Sequence, residues 1–365
     1  MLLKREEEAI FKLRQLYADR GYKPFKMSRF EEYDLYLKNK EFLVSDRVIT
    51  FQDQSGRLMA LKPDVTLSIV KNAPDEKGVV QKLYYNESVY RADKDFHDIR
   101  EVMQTGLECV GDLQKYHIWE VVLLALRSLS ALDRQYILDI SHMGLLEAVL
   151  CDVPLQLQKA VARCLQQKNL HDMTSVCDDL PVSVLRKLTY LIENAGTSNV
   201  VLPQIKKVMD KPEELEAIAQ LEEILEIIDA CGFADKVRID FSVVNGMGYY
   251  NGLVMRGYIA GIPDAVLSGG QYDKLPSRLG KDCRAIGFAV YLDLLERLSA
   301  QQSEYDVDIL LLCNNLDDGV AFQMAVESLM KEGSVLACSQ KPKNALPRKI
   351  YTYQNGEVLP YEGNA

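Results

Sequence analysis

Residues 79–111 read VVQKLYYNESVYRADKDFHDIREVMQTGLECVG, and the fold turns on this stretch. Residues 79–91 are apolar, β-branched and aromatic; residues 92–99, ADKDFHDI, are polar; residues 100–111 return to strand character. Two long strands joined by a charged loop predict an antiparallel ribbon. Successive strand side chains alternate faces, so Gln104, Gly106 and Glu108 share one face and can converge with Arg91 of the partner strand. An arginine there suits a carboxylate or a phosphate, while a glutamate and a glutamine suit an ammonium group and an imidazole N–H. A salt-bridged sheet surface accounts for the same residues equally simply.

Upstream, residues 4–20 carry Ala9, Ile10, Leu13, Leu16 and Tyr17 at helical spacing, with Gly21 as a C-cap. Residues 47–53 and 58–61 predict a hairpin around Gln54-Ser-Gly56. Pro63 then permits a turn into a helix with Asp64 or Thr66 near its start. Downstream, residues 115–131 predict a helix holding the only tryptophan, Trp119, and residues 135–142 a strand. Residues 143–232 are helical almost throughout. Residues 237–250 return to strand and turn through Asn245-Gly-Met-Gly248, residues 253–258 are a strand, Ser268-Gly-Gly270 a flexible crossing, and residues 292–298 a closing helix. In the tail, strands at 307–313, 335–338 and 350–353 with a helix at 318–331 predict a reduced α/β module.

The chain has 365 residues and a formal net charge of -10, a poor balance for gripping an RNA backbone. None of its eight cysteines sits in a Cys-x-x-Cys pair and the four histidines are scattered, so neither a metal site nor a cofactor is expected. The charged N-terminus, MLLKREEEAIFKL, excludes a signal peptide, and no apolar run suffices for a membrane span, so a cytoplasmic protein is expected.

With these residues in view, the strand–loop–strand ending in Arg91 resembles motif 2 of class II aminoacyl-tRNA synthetases, and Gln104 with Glu108 resembles its histidyl-tRNA synthetase version. Leu61-Lys-Pro-Asp-Val-Thr66 is similar to that family's Pro-Glu-Gly-Thr segment, which holds the substrate amino group. Asn245-Gly-Met-Gly-Tyr-Tyr250 resembles Arg-Gly-Leu-Asp-Tyr-Tyr, and Ser268-Gly-Gly-Gln-Tyr-Asp273 resembles Ala-Gly-Gly-Arg-Tyr-Asp. Gly287-Phe-Ala-Val-Tyr-Leu-Asp-Leu294 aligns with motif 3. The resemblance implies an α+β fold: a class II synthetase-like antiparallel sheet flanked by helices over residues 1–300, a helical insertion at about 150–232, and a small α/β unit at 305–365. It also implies a histidine-binding set of Asp64, Thr66, Arg91, Gln104, Glu108, Tyr249 and Tyr250, over a backbone floor at Gly269 and Gly270.

The departures fall on the nucleotide side. Asn245 stands where the synthetases carry an arginine acting on developing phosphate charge, and losing such a charge costs several kcal/mol of transition-state stabilisation. Leu294 replaces the arginine of motif 3, Tyr291 takes a glycine position, and Arg297 lies about one helical turn beyond. The tail holds 5 Lys+Arg against 8 Asp+Glu, unlike a basic anticodon-binding domain. The resemblance therefore extends to the synthetase paralogues that regulate ATP phosphoribosyltransferase. These imply a non-catalytic subunit, a short-form catalytic partner, histidine as effector and a homodimer within a hetero-oligomer. A working synthetase and a non-catalytic tRNA-sensing module are the alternatives.

Overall fold

The ribbon predicted at residues 79–111 forms the spine of the molecule. The computed structural model describes residues 5–40, 43, 48–92, 99–243, 249–295, 305–314, 318–342 and 345–361. Contacts divide the chain into two units, Met1–Leu298 and Ser299–Ala365. The first unit opens with α1 (Arg5–Ala18), β1 (Lys23–Pro24), β2 (Phe30–Glu32), α2 (Tyr33–Leu37), β3 (Thr50–Gln52), β4 (Leu58–Leu61) and α3 (Thr66–Asn72). The ribbon follows as β5 (Val80–Ala92) and β6 (Ile99–Gly111), then α4 (Lys115–Leu132), β7 (Tyr136–His142) and α5 (Met143–Leu150). The helical insertion comprises α6 (Leu155–Gln167), α7 (Leu170–Val176), α8 (Val182–Glu193), α9 (Ser198–Lys206) and α10 (Pro212–Ala230). The unit closes with β8 (Val237–Ile239), β9 (Leu253–Ile259), β10 (Leu267–Gln271), α11 (Lys274–Arg278) and β11 (Arg284–Tyr291).

These strands form an eight-stranded sheet, β1-β5-β6-β11-β10-β9-β7-β8, and a separate three-stranded sheet, β2-β4-β3. The large sheet is antiparallel except at its margins, where β1 runs parallel to β5 and β8 parallel to β7. Period-two alternation along β6 sorts residues between two cores. Leu107 and Cys109 point toward α1 and α4, joining Leu13, Tyr17, Val121 and Leu124. Val110 points the other way, joining Tyr85, Val89, Ala285 and the α3 residues Leu67, Ile69 and Val70. Each fully buried leucine contributes roughly 2 kcal/mol against exposure, so the pattern pins the register of the sheet that carries the site.

Several expectations need correction. Ser268-Gly-Gly270 is no flexible crossing: β10 runs through it, paired with β9 and β11 without a bulge. The glycines are there because the sheet is crowded; a methyl at Gly269 would lie 2.3 Å from the Gly287 carbonyl oxygen. Of the strand expected at 237–250, β8 forms at its start and the backbone turns at Asp240, whose carboxylate accepts from Ser242 N; residues 244–248 lie outside the described residues. Of the closing helix expected at 292–298, residues 292–295 form a 3-10 turn, and residues 296–298 lie outside the described residues. Tyr291 is the last residue of β11.

The second unit carries β12 (Val307–Cys313), α12 (Gly319–Met330), β13 (Val335–Cys338), β14 (Pro347–Gln354) and β15 (Glu357–Pro360). Its sheet order is β13-β12-β14-β15, with only the β14–β15 pair antiparallel. Asn355 and Gly356 turn that hairpin, with φ of 50° and 84°, the left-handed pair such two-residue turns require.

Candidate functional site

A cavity of about 730 Å³ opens over the second face of the large sheet. Its floor follows from the register. Gln104 pairs with Glu87 and Tyr291, Gly106 with Tyr85 and Ala289, and Glu108 with Leu83 and Gly287. Alternation then puts Gln104, Glu108, Tyr85, Gly287, Ala289 and Tyr291 on one side, all lining the cavity. Of the sequence-predicted residues, Asp64, Thr66, Arg91, Tyr249, Tyr250 and Gly269 line it as well. Gly270 sits behind the wall, where a methyl would lie 2.8 Å from the Tyr250 ring. Leu294 packs against the core on the α1–α4 side. Asn245 and Arg297 lie outside the described residues.

Glu108 is the chemical centre of one end. Thr66 Oγ1 donates to its Oε1 at 2.6 Å, and the Tyr272 hydroxyl donates to Oε2. Burial pushes its carboxyl up to about 8, opposed by these two donors and reinforced by Asp64. Gly287 makes room for it: a methyl there would meet Oε2 at 1.7 Å. Asp64 is also raised, by burial first, with Leu67 N, Arg91 and Thr66 N pulling it back. Its Oδ1 accepts from Leu67 N at 2.9 Å, so it also caps α3. Tyr249 stacks 4.7 Å from Tyr250 and 5.4 Å from Tyr272, closing an aromatic wall beside the carboxyls. Burial drives the hydroxyls of Tyr85, Tyr249, Tyr250 and Tyr272 upward, so each stays a neutral donor.

Two arginines also face the cavity. Arg91 places its guanidinium 5.7 Å from the Tyr291 ring centroid, and its Nε is shielded from water without a hydrogen-bond partner among the described residues. Arg256 of β9 enters the same cavity beside Tyr258 and Ser268, and has no ion pair among the described residues. The cavity thus joins buried carboxyls and tyrosines to two arginines, with Asp264 also in its lining. An amino acid with a polar ring matches that set of groups.

The reading of the sequence missed three of these residues. Tyr85 shares its strand face with Arg91, six positions on. Tyr272 stood inside a quoted motif. Arg256 is the only charged residue in an otherwise apolar strand, LVMRGYI. Of the three, only the Tyr85 signal was visible in the period of its strand.

The histidyl-tRNA synthetase family model matches residues 2–295. The chain belongs to this family. Within it, an ATP phosphoribosyltransferase regulatory subunit of Bacillus mycoides is 27% identical over 322 residues, covering 84% of this chain and 76% of the relative. An ATP phosphoribosyltransferase regulatory subunit/histidyl-tRNA synthetase structure from Bacillus halodurans superposes with a TM-score of 0.78 at 22% identity, over 95% of this chain and 93% of the other. A chain of the ATP phosphoribosyl transferase complex from Thermotoga maritima superposes with a TM-score of 0.63 at 22% identity, over 79% of this chain and 97% of the other. The fold is therefore the α+β fold of the histidyl-tRNA synthetase family, as the five motifs implied. Among the described residues no cluster of histidine, cysteine or acidic side chains could hold a metal, and no helix is long and apolar enough to cross a membrane.

Proposed function

We propose that this chain is a non-catalytic regulatory subunit of ATP phosphoribosyltransferase that reads the level of histidine in its synthetase-like pocket. The observation that carries the reading is one cavity lined by buried carboxyls, tyrosines and two arginines. Glu108, Thr66 and Asp64 make a buried end suited to an imidazole and an ammonium group, and Arg91 stands where a carboxylate would be held. Gln104 adds an amide on the same face, and Tyr249 and Tyr250 flank the ring. Tyr291 fills the side toward which a nucleotide would extend, and Asn245 and Leu294 supply no positive charge for phosphates. The names of the relatives support the same role.

In this reading the chain works in the cytoplasm as a homodimer within a hetero-oligomer, partnered by the short-form catalytic subunit. It binds neither tRNA nor a cofactor. Histidine binds one state of the assembly better than the other and shifts the population toward the less active one; the coupling equals that difference in affinity.

The test is reconstitution. Adding this chain should raise the activity of the short-form catalytic subunit, and histidine should then inhibit the pair. Histidine-dependent ATP–pyrophosphate exchange by the chain alone would instead make it a synthetase. Glu108→Gln and Arg91→Gln should each weaken histidine binding about tenfold or more while leaving the complex intact.

A further inference from the structure

A smaller cavity, of about 260 Å³, lies where the end of α1 meets α4 and α10. It shares no residue with the first. Tyr116, Trp119, Glu120, Leu123, Leu124 and Arg127 come from α4, spaced three and four apart so that they share one face; Arg20 and Ile227 close it. Glu120 is already engaged, accepting from Lys82 at 2.6 Å. Neither Arg20 nor Arg127 has an ion pair among the described residues. The Arg127 guanidinium lies 5.8 Å from the Phe233 ring centroid, and its Nε is shielded from water with no acceptor there. On a chain of net charge -10, this is a local excess of positive charge beside the only tryptophan.

Three arguments choose the occupant. A desolvated guanidinium N–H without a partner costs free energy that a carboxylate would recover. The volume falls below the roughly 300–1,000 Å³ of small-molecule pockets, but suits one or two anchoring side chains. Tryptophan, tyrosine and arginine are the residues that dominate binding energy at protein interfaces.

We propose that this notch is a docking point for the catalytic partner, receiving an acidic segment whose carboxylate sits between Arg20 and Arg127 and whose apolar neighbour rests on Trp119 and Leu123. The proposal rests on the functional reading above, since it needs that partner. The two cavities separate the roles of the chain: one face holds the effector, the other grips the enzyme.

The experiment compares the full-length chain with its Arg20→Glu and Arg127→Glu variants, each titrated with the short-form catalytic subunit. Each charge reversal should weaken the complex by about tenfold or more, and the wild-type affinity should fall with added salt. Histidine affinity of the isolated variants should match wild type, which also reports that they are folded. A chain carrying 5-fluorotryptophan has a single fluorine resonance, from Trp119, and this should shift when the partner binds. Arg20 is exposed, so its reversal keeps the test decisive even if the Arg127 variant does not fold. An Arg20→Glu chain that binds the partner at wild-type affinity, or an unmoved fluorine resonance in a formed complex, overturns the docking site and leaves the functional reading standing. A wild-type chain that forms no complex overturns both.

Discussion

At the residue scale the pH behaviour of the pocket rests on Glu108. Its carboxyl is raised to about 8 in the folded chain, above its ordinary value of 4.5. The folded state therefore keeps a proton that the unfolded chain releases. The stability this group contributes is full below pH 4.5 and is lost as the pH climbs toward 8, a change on the order of a few kcal/mol. Thermal melts of the empty chain should show this decline, and Glu108→Gln should flatten it. Histidine binding should follow a plateau. Bound, one proton is shared between Glu108 and the imidazole. Below the imidazole value of about 6.5 a proton must leave on binding, and above about 8 one must be taken up, so affinity should fall on both sides. Calorimetry in buffers of different ionisation enthalpy reads the sign; uptake below pH 6 or release above pH 9 would contradict the shared proton. Gly287→Ala tests the same carboxyl sterically. With 1.7 Å to Oε2 and 2.5 Å to the Leu107 carbonyl oxygen, it should cost about 1–3 kcal/mol of stability and abolish detectable histidine binding. Much of this site was legible beforehand, because strand alternation plus two polar residues fixes a face. Arg256 and Tyr272 were not, because their convergence depends on the order of β9, β10 and β11 in the sheet, which no local pattern carries.

At the element scale, legibility followed length and contrast. The ribbon β5–β6, the helix α4 and the amphipathic α10 each have enough residues for the period to dominate. β10 failed because LSGGQ has local chemistry that argues for a loop, and only pairing on both sides makes it a strand. β8 was overcalled because an apolar run cannot reveal that Asp240 turns the chain. β15 was overlooked although Asn355-Gly356 announces a hairpin. The insertion holds its own anchor, invisible to periodicity. Lys187 of α8 donates to Glu214 of α10 at 2.7 and 2.8 Å, and Glu214 also accepts from Asp210 N and Lys211 N at the start of that helix. Glu214 is wholly buried and Lys187 only 4% exposed. Removing one member of such a pair strands the other's charge, so Lys187→Ala should lower unfolding free energy by about 3–5 kcal/mol. Lys187→Met with Glu214→Gln should recover part of that. Denaturant melts decide it; a loss under about 1 kcal/mol for the single variant would mean the pair is not stabilising the insertion.

At the scale of the whole molecule the chain carries two units with separate cores. Every residue lining the large cavity lies between Leu43 and Tyr291, inside the first unit. The second unit has its own small core of Ile309, Leu311, Leu329 and Tyr353 beneath α12. The sequence predicted a reduced α/β module there, with three strands and a helix, because β12 and α12 have strong local patterns. It could not assign a role, since an acidic tail of modest length fits loss of tRNA binding and gain of a new contact alike. Geometry narrows the question. A chain ending at residue 298 keeps all of the sheet that floors the cavity, both cores of the first unit and the whole helical insertion. Truncation after 298 should therefore leave a folded protein whose histidine affinity is within about threefold of full length, a difference under roughly 1 kcal/mol. Helical content should stay close to that of full length, because only α12 is removed. Calorimetric titration with histidine and a thermal melt followed by circular dichroism check both statements. Lost affinity with an intact melt would mean that the second unit reaches the effector site. A collapsed melt would mean that the first unit depends on the second for its fold. If affinity and melt both survive, the second unit serves the assembly, and reconstitution of the truncated chain with the catalytic subunit then tells whether it is needed for activation or for inhibition by histidine.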